Sequence, residues 1–292
     1  MEHYPVMAEQ AAGYLRLVDG GVYVDTTAGL GGHTGLLARR LKSGMVISLD
    51  RDAETIEKAK ANTLDCADRI TFRQSRFSQL SETLGAMGVG KVDGILSDLG
   101  VSKWQLMSPE RGFSFQHAAP LDMRMDRGQE LTAGDLVNRA SEKELADWIF
   151  RLGEERRHAR RIARATVRAR PLRDSLQYAE LIAAVAPRTG KLHPATRVFQ
   201  ALRMVVNDEE GELAALLEQA PEWIKPGGRW VVIAFQSLDD RQVKRAFQSL
   251  AREKRAAILT KHVVRPEAEE CRINPPSRSA VLRALEMVGE AH

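Results

Sequence analysis

VYVDTTAGLGGH, residues 22–33, followed one helix later by VISLDRD at 46–52, sets the architecture of this 292-residue chain. Each segment is a short β-branched run ending in an acid, Asp25 and then Asp50, and a glycine turn at Gly29, Gly31 and Gly32 lies between them. Glycine has no side chain, so such a turn bends sharply and lets backbone approach a ligand while the next helix points its first N–H groups inward. Asp50 follows Gly29 by 21 residues (50 − 29), the separation at which a strand-ending carboxylate bonds ribose hydroxyls. Glycines alone fit a ligand-free tight turn equally well; the acidic strand end is what adds a nucleoside.

Working outward, β-branched runs and helical periodicity predict strands near Val22–Asp25, Met45–Asp50, Ile70–Arg73 and Val92–Asp98, with helices near Thr34–Leu41 and Ala53–Thr63. This alternation is that of a parallel α/β sheet covered on both faces. It stops for about a hundred residues rich in Arg, Glu and Ala, then resumes at a helix over 211–224, a turn at 225–228 and the strand Trp230–Phe235. The expected organisation is therefore a discontinuous sheet domain, 1–109 and 205–292, interrupted by an inserted helical domain at 110–204. Two tail strands, near Ala257–Val264 and Ala280–Met287, suit a closing antiparallel pair.

Composition narrows the function classes. Hydrophobic residues make up 43% of the chain, and its longest strongly apolar run, 230–235, is far short of the roughly 20 residues that cross a bilayer. The start, MEHYPVMAEQAAGYL, has neither a secretory nor a transit-peptide pattern, so a cytoplasmic location without membrane attachment is expected. Cys66 and Cys271 lack metal-ligand spacing; no metal site is expected.

Net charge is only +4, yet GEERRHARRIARATVRAR at 153–170 gathers much of the positive charge. At helical spacing Arg156, Arg157, Arg160, Arg161, Arg164 and Arg168 fall within an arc of about 140°, with Ala159, Ile162 and Thr166 opposite. Such a face either sits in water or meets phosphates; the lack of matching acids along the arc favours phosphates. Arg197 and Arg203 would extend it.

Five blocks then make the reading specific: DTTAGLGGH at 25–33, DGILSDLGVSKWQL at 93–106, RGFSFQHAAPLDMRMD at 111–126, HPATRVFQALRMVVN at 193–207 and FQSLDDRQVK at 235–244, with a weaker NPPSRSAVLR at 274–283. Through them the chain resembles, over nearly its whole length, the bacterial 16S ribosomal RNA cytosine-N4 methyltransferases of the RsmH (MraW) family. The resemblance implies a class I, Rossmann-like methyltransferase sheet with a helical insertion, S-adenosylmethionine as cofactor, and 16S rRNA or the small ribosomal subunit as partner. It also implies cofactor contacts from Gly31, Gly32, His33, Asp50, Phe77, Asp98 and Gln105. Several of these positions carry a second physical reading. Phe77 either stacks on adenine or caps the sheet as a core aromatic, and His33 either bonds the methionine carboxylate or simply opens a helix.

Methyl transfer to an exocyclic cytosine amine needs acceptors for its N–H groups, because that lone pair is delocalised into the ring. Asp98 is the best-placed candidate catalytic residue, against the alternative that it only orients the loop or holds the cofactor amine. Phe113 and Phe115 are candidate stacking surfaces; Asp122, Arg124 and Asp126 either organise the pocket mouth or form an ion-pair network. The chain departs from the family where most members have a histidine and it has Gln236, which can orient a cytosine edge through its amide but cannot titrate. Pro276 and Lys103-Trp104 are further departures. Gln236 therefore motivates a second reading, a ribosome-assembly factor that binds S-adenosylmethionine and RNA with little or no turnover. A nicotinamide-dependent oxidoreductase would rest on the glycine turn and Asp50 alone, and a methyltransferase acting on protein or small molecules has no ready use for the arginine face.

Overall fold

The computed structural model describes residues 5–188 and 192–289. Strands β1 (Val22–Asp25), β2 (Met45–Asp50), β3 (Ile70–Gln74), β4 (Val92–Asp98), β5 (Ile224–Ala234), β6 (Ala256–Ile258) and β7 (Val281–Met287) form one sheet in the order β3-β2-β1-β4-β5-β7-β6. The first five are parallel, and β7 runs antiparallel between β5 and β6. Successive strands step outward from β1 to β3 and then return to its other side as β4. Ligands bind at such a reversal, beyond the carboxyl ends of the strands.

Helices α1 (Ala8–Leu15), α2 (Gly32–Arg40), α3 (Ala53–Asn62) and α4 (Leu80–Ala86) accompany the first strands. Alternate strand residues enter opposite cores: Ile47, Ile95, Trp230 and Val232 on one face, Val46, Leu96, Val231 and Ile233 on the other. Both faces are buried, which is why these strands read as continuous apolar runs. Asp52 caps α3 by accepting from Glu54 N and Thr55 N at 3.0 and 3.3 Å, so the acid-rich turn after Asp50 also starts the next helix.

A second compact unit, Val101–Glu209, interrupts the first. It contains α5 (Lys103–Met107), α6 (Ala133–Arg139), α7 (Glu142–Arg151), α8 (Ala159–Arg168), α9 (Ser175–Val185) and α10 (Ala195–Val206) around its own apolar core. The divisions at 100/101 and 209/210 lie outside the expected 109/110 and 204/205, because the flanking segments are tied into the insertion. Arg111 lies 5.0 Å over the Trp104 ring, while buried Asn207 accepts from Met125 N and donates to Met123 O, both at 2.8 Å. Glu209 takes a bidentate grip on Arg203 at 2.6 and 2.8 Å.

After the insertion come α11 (Glu209–Trp223), α12 (Ser237–Arg252) and α13 (Ala268–Ile273). The turn expected at 225–228 interrupts the pairing within β5: Val92 pairs with Ile224, but Gly94 pairs with Arg229. The tail pair is antiparallel as expected, though β6 is only three residues long and Val264 adds an isolated bridge to Leu282. Thr260 shortens it, since its Oγ1 accepts from Ala284 N at 3.0 Å in place of a backbone carbonyl. Helices α1, α12 and α13 were not among the sequence expectations. Among the described residues no helix is long and apolar enough to cross a membrane.

Substituting Asn207→Ala leaves the Met125 N–H and the Met123 carbonyl unpaired. Urea denaturation should show a loss of about 3 kcal/mol with an unchanged m-value.

Candidate active site

Three neighbouring strands bring their terminal acids to one edge of the sheet: Asp25 from β1, Asp50 from β2 and Asp98 from β4. Asp50 Oδ2 accepts from Gly29 N and Oδ1 from Asp52 N, both at 2.9 Å, so the carboxylate clamps the glycine turn to the start of α3. Each oxygen keeps further lone-pair capacity for ribose hydroxyls. Burial pushes this carboxyl up from 3.8 to about 6, against the pull of those two N–H groups.

The glycines divide their tasks. Gly31 has φ +83°, and a Cβ there would lie 3.1 Å from Ala59 O, so it permits close packing of the loop on α3. A Cβ on Gly32 would lie 3.1 Å from Pro5, whereas one on Gly29 would meet only Thr27 O, at 3.7 Å. The close approaches at Gly31 and Gly32 are thus to protein, and Gly29 is the glycine whose N–H meets Asp50.

Behind the turn runs a hydrogen-bond chain. Thr27 donates to Asp25 Oδ1 through its N–H (3.0 Å) and its hydroxyl (3.2 Å), and its Oγ1 accepts from Asp98 N at 2.7 Å. Thr34 donates to Asp25 Oδ2 at 2.6 Å and lies 2.7 Å from the Ser48 hydroxyl. Burial pushes the Asp25 carboxyl up, opposed by His33 and Thr34. The backbone of Asp98 is therefore positioned through Thr27 by a wholly buried acid. In the sequence Asp25 is legible only as a strand end; the two hydroxyl residues that follow it, Thr26 and Thr27, are the signal for its role.

His33 is 5% exposed, with Nε2 3.4 Å from Asp98 Oδ2. Burial alone would pull the imidazole down, but Asp98, Asp25 and Glu270 together raise it above its ordinary value, toward the cationic form. Among the described residues neither ring nitrogen makes a hydrogen bond beyond this longer contact to Asp98 Oδ2, and Asp98 Oδ1 is buried without a partner. Leaving a buried polar group unsatisfied costs about 1–3 kcal/mol, so their grouping at the switch point makes this the candidate ligand position.

The other expected positions are more dispersed. Phe77, in the turn after β3, packs partly buried against the core that contains Leu80 and Leu84. Gln236 follows β5, whose Ile233 pairs with Asp98, and it is the N-cap of α12. Gln105 belongs to the insertion, where its Oε1 accepts from Ser102 N at 2.9 Å in a capping box.

The expected arginine surface needs correction. Helix α8 starts only at Ala159, because buried Glu155 accepts from Arg157 N and His158 N in a preceding turn. Arg156 and Arg157 are exposed but lie off the helical face formed by Arg160, Arg161, Arg164 and Arg168. Arg164 also meets Glu142 at 3.4 Å, an acid on α7 that the arc along one helix does not reveal. Arg197 is paired with Glu155 at 3.1 Å, and Arg203 is only 13% exposed in its grip on Glu209, so Arg203 does not extend an open surface. Asp122 and Arg124 form a bidentate pair at 2.7 and 2.8 Å, the ion-pair alternative. Phe113 is buried, while half-buried Phe115 packs on His193 and Phe199 with centroids 4.9 and 5.0 Å away.

The sequence model of the MraW methylase family matches residues 1–288. The chain belongs to the MraW methylase family. A ribosomal RNA small subunit methyltransferase H from Solibacter usitatus (strain Ellin6076) is 57% identical over 285 residues, covering 98% of this chain and 99% of that one. Its namesake from Coprothermobacter proteolyticus is 45% identical, covering 98% and 96%. A solved rRNA methylase from Streptococcus thermophilus aligns with a TM-score of 0.46 at 11% identity, covering 99% of this chain and 100% of that one.

The methyl donor of this methylase is S-adenosylmethionine, and the site's chemistry fits it. Asp98 Oδ1 can accept from an ammonium, a raised His33 can donate to a carboxylate, and Asp50 can accept from ribose hydroxyls.

Two measurements check this site. If ribose hydroxyls bond ionised Asp50, donor affinity measured calorimetrically falls below pH 6 and approaches tenfold per unit; Asp50→Asn flattens that dependence and weakens binding at pH 7.5. The linkage to folding has the opposite sense. A raised folded pKa means this group's stabilising contribution is present at acid pH and is lost as pH rises through about 6. Thr27→Val should lower kcat about tenfold while changing donor affinity less than threefold, since it removes the acceptor of the Asp98 N–H and leaves the carboxylate.

Proposed function

We propose that this methylase transfers a methyl group from S-adenosylmethionine to the exocyclic N4 amine of a cytidine in small-subunit ribosomal RNA, with the RNA or the assembled subunit as substrate. The observation that carries the reading is the match to the MraW methylase family over residues 1–288, with Asp98 at the β1/β4 switch point as the acid nearest the transfer. The curated relatives named above are small-subunit rRNA methyltransferases, which favours turnover over a purely binding role.

When bound, the donor supplies an electrophilic sulfonium methyl group, and the protein's work is alignment. In this reading Asp98 accepts an N–H of the amine, which favours a pyramidal nitrogen and an available lone pair. Asp98 or water takes the proton after transfer. Gln236, beyond the β5 residue paired with Asp98, orients the cytosine edge through its amide. The target base must leave its stack at a cost of a few kcal/mol, least in irregular or single-stranded RNA.

Labelled donor incubated with small-subunit particles from cells lacking this gene tests the proposal. Wild-type protein should restore one N4-methylcytidine, and Asp98→Asn should lower kcat about a hundredfold with the fold intact. Gln236→His should stay within about tenfold of wild type; a thousandfold gain would show that the reaction lacks a titrating base.

A further inference from the structure

A groove between α8 and α9 is not accounted for by methyl transfer. It has a volume of about 390 Å³, within the range of small-ligand sites. Arg161, Arg164 and Arg168 form its wall, and Ala165, Leu181 and Val185 are among the residues of its apolar lining. At 100° per residue the three arginines fall within an arc of about 60°, so they share the side of α8 that borders this apolar surface. The two helices are tied together inside the insertion, where the buried hydroxyls of Thr166 and Tyr178 lie 3.2 Å apart. Among the described residues Arg161 and Arg168 have no carboxylate partner, and Glu142 is the one acid paired with Arg164.

This combination selects a ligand chemistry. Phosphates alone need the arginines but not Leu181 and Val185, and an A-form duplex keeps its base faces stacked out of reach. An unpaired nucleotide offers both parts, a phosphodiester for the guanidinium groups and a flat base for aliphatic and guanidinium surfaces. We infer that the α8/α9 groove holds an unpaired nucleotide of the RNA substrate, phosphate against Arg161 and Arg168 and base against Leu181 and Val185. The inference rests on RNA being the substrate and gives the insertion a single-strand grip of its own. Glu142 acts as a competitor that holds Arg164 until phosphate replaces it.

Fluorescence anisotropy of a labelled twelve-nucleotide oligocytidine with the full chain tests this. The double variant Arg161→Gln/Arg168→Gln should weaken binding and reduce the slope of log K against log salt by about 1.4, two phosphate contacts on a single strand. Leu181→Ser/Val185→Ser should weaken it roughly tenfold with an unchanged slope, and Glu142→Gln should tighten it about twofold. Because the arginines are exposed, their variant should fold normally, which the thermal midpoint and the heat of S-adenosylmethionine binding verify. Wild-type affinity in the arginine variant, or equal binding of a fully paired RNA or a polyglutamate peptide, would overturn the groove. Methyl transfer to small-subunit particles is assayed in parallel. Intact transfer with unaltered oligocytidine binding in the variants removes the groove alone, whereas absent transfer by wild-type protein with the anisotropy pattern intact removes the methyl-transfer reading.

Discussion

The hydrogen bond from Asp98 N to Thr27 Oγ1 ties the end of β4 to the end of β1, and the site is organised around it. Thr27 is held in turn by Asp25, and Asp25 by Thr34 of the helix that follows the glycines. A short, buried polar chain thus couples two adjacent strand ends to the first turn of α2. Fully satisfied buried networks of this kind are stiff, because every alternative arrangement leaves a group unpaired. The stiffness matters where the network stops, at His33 and Asp98 Oδ1, which keep their capacity for a partner from outside the chain.

Electrostatics at that edge follow from the same arrangement. Three strand ends deliver three carboxyls to a region of low solvent access, and burial raises Asp25 and Asp50. The His33 imidazole is raised above its ordinary value by its acidic neighbours, Asp98 first, despite burial. A nucleoside-bearing sulfonium donor with an amino-acid tail would find there an acceptor in Asp98, a donor in His33 and a ribose acceptor in Asp50. The arrangement uses protein dipoles fixed in advance, so alignment requires little reorganisation.

Much of this was legible in the residues. Strand ends at Asp25, Asp50 and Asp98 follow from β-branched runs closed by acids, and these boundaries match β1, β2 and β4. The parallel order follows from strands alternating with helices. Periodicity could not locate the start of α8, because the arginine pattern runs unbroken through a turn that Glu155 builds with its side chain. Nor could it show that Arg203 would be taken by Glu209, a pairing that depends on how the chain leaves α10. The glycines illustrate a subtler limit: Gly31 and Gly32 are needed, but for contacts with α3 and Pro5 that spacing alone does not reveal.

In this reading the donor's amino-acid end would complete the corner that His33 and Asp98 form. Nitrogen NMR of the His33 ring, assigned by comparison with His33→Gln, tests that most directly. Addition of S-adenosylmethionine should shift both ring nitrogens and move the titration midpoint upward, as a carboxylate approaches the imidazolium. Ring signals and midpoint unchanged at saturating donor would contradict it.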